Sequence, residues 1–151
     1  MALDLGEKRI GVAVTDESQT MVFPERVLQR RSPRADRQAL VALVQELGVA
    51  GVVVGLPLSM EGEHGPNAER AVSFGQYLER AVRVPVEFQD ERLSTVEAEE
   101  RLRAAGLPPA ERKQRIDSAA AAVILEDYLR TRSAPSAGAK RLRRVASKEA
   151  G

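Results

Sequence analysis

Acidic residues occupy three places in this chain where they are costly. Asp4 interrupts the apolar opening Met1-Ala2-Leu3-Asp4-Leu5, ahead of Gly6 and a second apolar run from Ile10 to Ala13. Strands exclude aspartate, and a buried carboxylate loses its water and needs a partner. Asp90 and Glu91 stand where the run Val84–Gln89 gives out. Asp117 opens a final helical pattern and shares a face with Ala120, Ala121, Ile124 and Tyr128, so that it points toward a sheet rather than water. Three carboxylates brought together repel and raise one another's pKa. A divalent cation removes the conflict, and Mg2+ and Mn2+ prefer carboxylate oxygen and water. Two such ions about 4 Å apart can hold a phosphodiester, activate a water and stabilise the leaving oxygen. Asp4, Glu91 and Asp117 are therefore the expected metal ligands. No histidine is required, and the only one, His64, reads as a solvated residue of a polar loop.

Cations flank these acids. Lys8 and Arg9 form the turn after the first apolar run, and Arg92 follows Glu91; all three are placed to meet phosphate. Ser94 and Thr95 open a helix, where anions bind well, which adds Thr95 to Lys8, Arg9 and Arg92 as expected substrate contacts. Each residue has a plainer explanation. Asp4 could serve a turn, and Asp117 a helix dipole. Glu91 could pair with Arg92 or a distant arginine, and Ser94 could be only a cap. The cations could be ordinary charge in a chain that is 30% charged. What favours chemistry is that the elements carrying the acids converge.

Those elements follow from periodicity. Strands are expected at about Ala2–Leu5, Ile10–Thr15 and Val22–Leu28, joined as antiparallel hairpins, with Pro24 marking an edge. Leu40, Leu43, Val44 and Leu47 recur at helical spacing over 34–47, and Gly48 supplies the stop. Val49–Gly55 reads as a strand covered on both faces. Ser59–Asn67 reads as a polar loop, with Gly55-Leu56-Pro57 able to line a crevice. A helix over 67–82, a strand over 84–89 and a helix opened by a capping box at Ser94 and Glu97 follow. That helix stops at Gly106, before Pro108 and Pro109, and the last helix spans about 116–131. The order β-β-β-α-β-α-β-α-α implies an α/β architecture. Its mixed five-stranded sheet carries helices on both faces, and the order matches the ribonuclease H-like fold. In such sheets the reactive crevice lies at the carboxyl ends of the parallel strands.

The 151 residues suit one domain of about 1–132. With 43% hydrophobic and 3% aromatic residues, the core must be filled by Val, Leu, Ile and Ala. The absence of cysteine excludes a disulfide scaffold, a thiolate metal site and a cysteine nucleophile. No apolar run reaches the ~18 residues of a membrane span, and Asp4 and Lys8 break any signal-peptide layout; a cytoplasmic setting without membrane partners is expected. The segment 133–151 holds Lys140, Arg141, Arg143, Arg144 and Lys148 against Glu149. This net +4, against +1 for the chain, leaves −3 on the body. Its Ser-Ala-Pro-Ser-Ala-Gly-Ala beginning is aperiodic, so 133–151 reads as a disordered basic tail. Such a tail suits either a phosphate-binding arm or an idle solvated terminus.

The stretches Asp4-Leu5-Gly6-Glu7-Lys8-Arg9-Ile10-Gly11-Val12-Ala13, Gly55-Leu56-Pro57-Leu58, Gly65-Pro66, Asp90-Glu91-Arg92-Leu93-Ser94-Thr95 and Asp117–Leu125 resemble the YqgF (RuvX) family over about residues 1–131. The resemblance implies a bacterial ribonuclease H-like nuclease. The family is described as Holliday junction resolvases and is also assigned to maturation of the small-subunit ribosomal RNA precursor. It carries Asp4, Glu91 and Asp117 over as catalytic metal-binding acids using Mg2+ or Mn2+, with the adjacent Asp90 able to substitute for Glu91. Ser94 stands where the family often has Thr. Cleavage would leave a 5′-phosphate and a 3′-hydroxyl. The implied partners are precursor RNA, branched DNA or both, and a two-fold junction favours a homodimer. A nucleic-acid-binding factor in ribosome biogenesis or transcription, without turnover of its own, is the competing expectation.

Overall fold

The computed structural model describes residues 1–133, so the expected basic tail of 133–151 lies outside the described residues apart from Ser133, which ends the last helix. Five strands form one sheet: β1 (Ala2–Leu5), β2 (Arg9–Thr15), β3 (Val22–Gln29), β4 (Val52–Leu56) and β5 (Val86–Asp90). Their spatial order is β3-β2-β1-β4-β5. The first three are antiparallel hairpins, and β1–β4 and β4–β5 are parallel. Pro24 does lie in the edge strand, opposite Ala13 just past a register shift.

Four helices cover the sheet: α1 (Pro33–Leu47), α2 (Pro66–Glu79), α3 (Ser94–Ala104) and α4 (Pro109–Ser133). The period of two along a strand sorts residues between the faces. Leu3, Ile10, Val12, Val52, Val54 and Val86 pack against Leu40, Leu43 and Val44 of α1 and Phe74 and Leu78 of α2. Ala2, Ala13 and Val53 face the other way, against Ala121, Ile124, Leu125 and Tyr128 of α4. Ala98 of α3 packs on Ala120 and Val123, on the outer side of α4. Gly48 ends α1 in the left-handed conformation (φ 61°), as its position implied.

Two local expectations are corrected. The last helix begins at Pro109 rather than 116. Proline suits a first helical position because its missing N–H has no intrahelical partner there. Pro108 closes the first turn by accepting from the Arg112 N–H at 3.0 Å. Asp117 consequently sits inside α4, beyond the reach of a first-turn dipole effect. Ser94 is not a capping residue either: Leu93 takes the N-cap position, in left-handed geometry (φ 67°), and no side chain caps the helix. The Asp90 carboxylate accepts from the Arg92 N–H at 2.9 Å, which turns the chain one residue earlier than a serine cap would. Ser94 is buried instead.

Candidate active site

Asp4 follows Leu3, so alternation turns it onto the α4 face near the carboxyl end of β1. Its neighbour across the β1–β2 hairpin is Gly11. A Cβ on Gly11 would lie 1.9 Å from the Asp117 carbonyl oxygen, an impossible distance. The missing side chain thus lets α4 descend onto β2 at the level of Asp4. The alanines Ala121 and Ala122 continue the close contact, against Ala2, Ala13 and Val53 of the sheet.

Glu91 arrives from the far side of β4. Its N–H donates to the Leu56 carbonyl at 3.0 Å, extending the β4–β5 pairing by one residue. The side chain passes under Gly55, where a Cβ would stand 2.6 Å from Glu91 Oε2 and 2.7 Å from Ile124 Cδ1. Gly55 thus makes the space that Glu91 fills. Enclosed there, Glu91 Oε2 has no hydrogen-bond partner. Burial, then the neighbouring Asp4 charge, push the Glu91 carboxyl up to about 9. Asp4 is also raised, by burial and then by the Asp117 charge, against a lowering contact with Glu91.

Asp117 completes the set from α4 but is turned aside. Arg9 Nε donates to Asp117 Oδ2 at 2.7 Å. Among the described residues, no three acidic, histidine or cysteine side chains already stand as a finished metal cage. The donor chemistry nevertheless fits a cation at Asp4 and Glu91: two oxygen-donor carboxylates, one orphaned buried oxygen, and a charge conflict that a cation would relieve. Asp117 would join them by exchanging its contact with Arg9.

The other expected residues are placed less uniformly. Asp90, the expected substitute for Glu91, is engaged by Arg92, whose Nε donates to Oδ2 at 2.7 Å. Arg92 also holds the Met60 carbonyl at 2.9 Å, tying the loop after β4 to the end of β5. Lys8 is exposed in the β1–β2 turn, and Thr95 is exposed on the first turn of α3. His64 is exposed, as a solvated loop residue should be. Two features went unread in the sequence: the clearance at Gly11, and Arg30, which bonds the Gly6 carbonyl at 3.0 Å and Asp36 at 3.1 Å. A glycine in mid-strand was the available signal for the first.

Residues 1–131 match the family RuvX, described as Holliday junction resolvase. A protein of Chloroflexus aurantiacus named "Putative pre-16S rRNA nuclease" is 48% identical over 132 residues, covering 87% of this chain and 86% of that one. A relative of the same name from an Anaeromyxobacter strain is 46% identical, covering 89% and 98%. The solved structure of Thermus thermophilus RuvC shares the fold, with a TM-score of 0.52 at 14% identity over 85% of this chain and 93% of that one. The ribonuclease H-like architecture expected from strand order is therefore present, and the chain belongs to the RuvX family of nucleases.

Proposed function

We propose that this chain is a Mg2+- or Mn2+-dependent phosphodiesterase, with Asp4, Glu91 and Asp117 as its metal-holding acids. The supporting observation is the buried pair of Asp4 and Glu91, with Glu91 Oε2 enclosed and unbonded. When bound, a divalent cation supplies charge neutralisation and activation of the attacking water. The chain's own residues do the rest. Gly55 and Gly11 let Glu91 and Asp117 approach Asp4. Lys8 and a released Arg9 meet the phosphate from the β1–β2 turn. Arg92, braced by Asp90, and Thr95 meet the strand from the other side.

The substrate proposed first is the 5′ end of the precursor of 16S ribosomal RNA, in line with the names of the relatives. Processing of that RNA belongs in the bacterial cytoplasm, and no helix among the described residues is long and apolar enough to cross a membrane. A four-way DNA junction is the second reading, favoured by the family description, and would place the chain in recombination and repair, acting as a homodimer. A single assay offers both substrates to the full chain with Mn2+. Metal-dependent cleavage of the RNA precursor at its 5′ side supports the first reading, and symmetric nicking of the junction the second. Tight binding of both with no turnover would mean a binding factor instead.

A further inference from the structure

The face of the sheet opposite the acids carries a groove of about 920 Å3 between the β1–β2 turn and α2. That volume lies at the upper end of ordinary ligand sites. It meets the candidate active site over the carboxyl ends of the central strands β1 and β4: Leu5 and Gly6 directly follow Asp4, and Pro57 directly follows β4, whose Leu56 carbonyl holds Glu91. At about 3.3 Å per strand residue, Gly6 stands only about 7 Å along the chain from Asp4.

Phe74 and Tyr77 line the groove beside Leu5 and Pro57. Both rings are held by arginines. The Arg30 guanidinium lies 5.4 Å from the Phe74 centroid, and Arg37 lies 3.7 Å from that of Tyr77. Arg30 is itself fixed between Asp36, which is buried, and the Gly6 carbonyl. A guanidinium locked in this way is pre-organised as a planar stacking and donor group. The charge of the lining is balanced, with Arg30 and Arg70 opposed by Glu7 and Glu69. A phosphate track would need an excess of cations. A neutral heteroaromatic ring with polar edges suits an apolar, aromatic floor with a charge-balanced rim.

We propose that this groove receives an unpaired nucleobase of the substrate strand, within one or two nucleotides of the phosphate that is cleaved beside Asp4 and Glu91. This rests on the nuclease reading above. A stiff duplex does not bend sharply over the strand ends at Gly6 and Pro57, whereas a single strand can. The site therefore selects cleavage positions that have an unpaired flank, in RNA or DNA alike.

The test is binding by the full chain in an Asp4→Asn background with Mg2+, where cleavage does not interfere. Probes are a blunt duplex and the same duplex with about five unpaired nucleotides, each as RNA and as DNA. Ser73→Trp places a bulky ring in the groove from an exposed position of α2, and Arg70→Ala removes an exposed lining cation without touching the core. Ser73→Trp is expected to weaken the overhang complex about 10-fold or more, as loss of one stacked base does, with the blunt duplex unchanged. Arg70→Ala should weaken it in the same direction, and a photoreactive base in the overhang should crosslink to Phe74 or Tyr77. Equal losses for both probes, no loss with either variant, or crosslinks confined to the α3 side overturn the proposal. A change in oligomeric state with Ser73→Trp at undiminished overhang affinity also overturns it, assigning the groove to a second copy. If Asp4→Asn cleaved like the parent, the acid assignment would fail while the overhang preference remained measurable.

Discussion

Arg9 and Asp117 form an ion pair 108 residues apart in sequence, with Nε and Oδ2 2.7 Å apart, which joins the start of β2 to the middle of α4. The guanidinium thereby occupies a carboxylate that the proposed chemistry needs for a cation. Arg9→Ala should therefore tighten Mn2+ binding several-fold in calorimetry while lowering affinity for nucleic acid. The pair is partly exposed, so its loss should cost no more than about 1 kcal/mol of stability. Weaker Mn2+ binding in Arg9→Ala would show that the arginine supports the site rather than competing for it.

Glu91 gives a pH dependence with a definite sign. Its folded pKa, about 9, lies above the ordinary 4.5, so its contribution to stability is fully present below about pH 4.5 and is lost as pH rises toward 9. In EDTA, Glu91→Gln should melt at nearly the parental temperature near pH 4.5 and several degrees above it at pH 8. Added Mg2+ should raise the melting temperature of the parent and not that of Glu91→Gln. Thermal melts of both proteins across that window, with and without Mg2+, measure this; a variant less stable than the parent at pH 8 would refute it.

The two glycines should separate folding from chemistry. At Gly11 an added methyl group would meet α4 backbone, which cannot turn aside, so Gly11→Ala should cost on the order of 3 kcal/mol or more. At Gly55 it would meet the ends of two side chains, Glu91 and Ile124. Gly55→Ala should therefore stay folded, lose about 1–2 kcal/mol, and cleave at least ~100-fold more slowly because Glu91 is displaced. Denaturant melts paired with a cleavage assay distinguish the cases.

The basic segment 134–151 offers a prediction from sequence alone. Removing one phosphate-neutralising cation should flatten the dependence of log affinity on log salt by about 0.9 for duplex DNA. Deleting the segment should lower the slope and the affinity together and leave the rate at saturating substrate unchanged. An unchanged slope would make the tail a bystander.

The strand order and most of the helix faces are legible in the sequence because alternation and helical spacing are strong here: Leu40, Leu43 and Val44 on α1, and Ala121, Ile124 and Tyr128 on α4, face the sheet, whereas Ala120, expected on that same face, packs on α3 instead. The three acids are legible as carboxylates set against apolar neighbours. Their pairing is not. That Asp117 turns to Arg9, and Asp90 to Arg92, depends on side-chain directions that spacing does not encode. A serine followed three residues later by Glu97 satisfies the local pattern of a cap at Ser94, whereas the Asp90 turn upstream decides where the helix begins. Pro109 reads as punctuation in the sequence, although proline stops a helix and starts one equally well.

The most direct test of the three-acid centre is cleavage of the 16S precursor and of a four-way junction by Asp4→Asn under Mn2+, with binding measured in parallel. The predicted result is loss of cleavage by at least ~1000-fold on whichever substrate the parent cuts, with affinity within a few-fold of the parent. EDTA should abolish parental cleavage equally. Cleavage by Asp4→Asn at the parental rate would contradict the assignment.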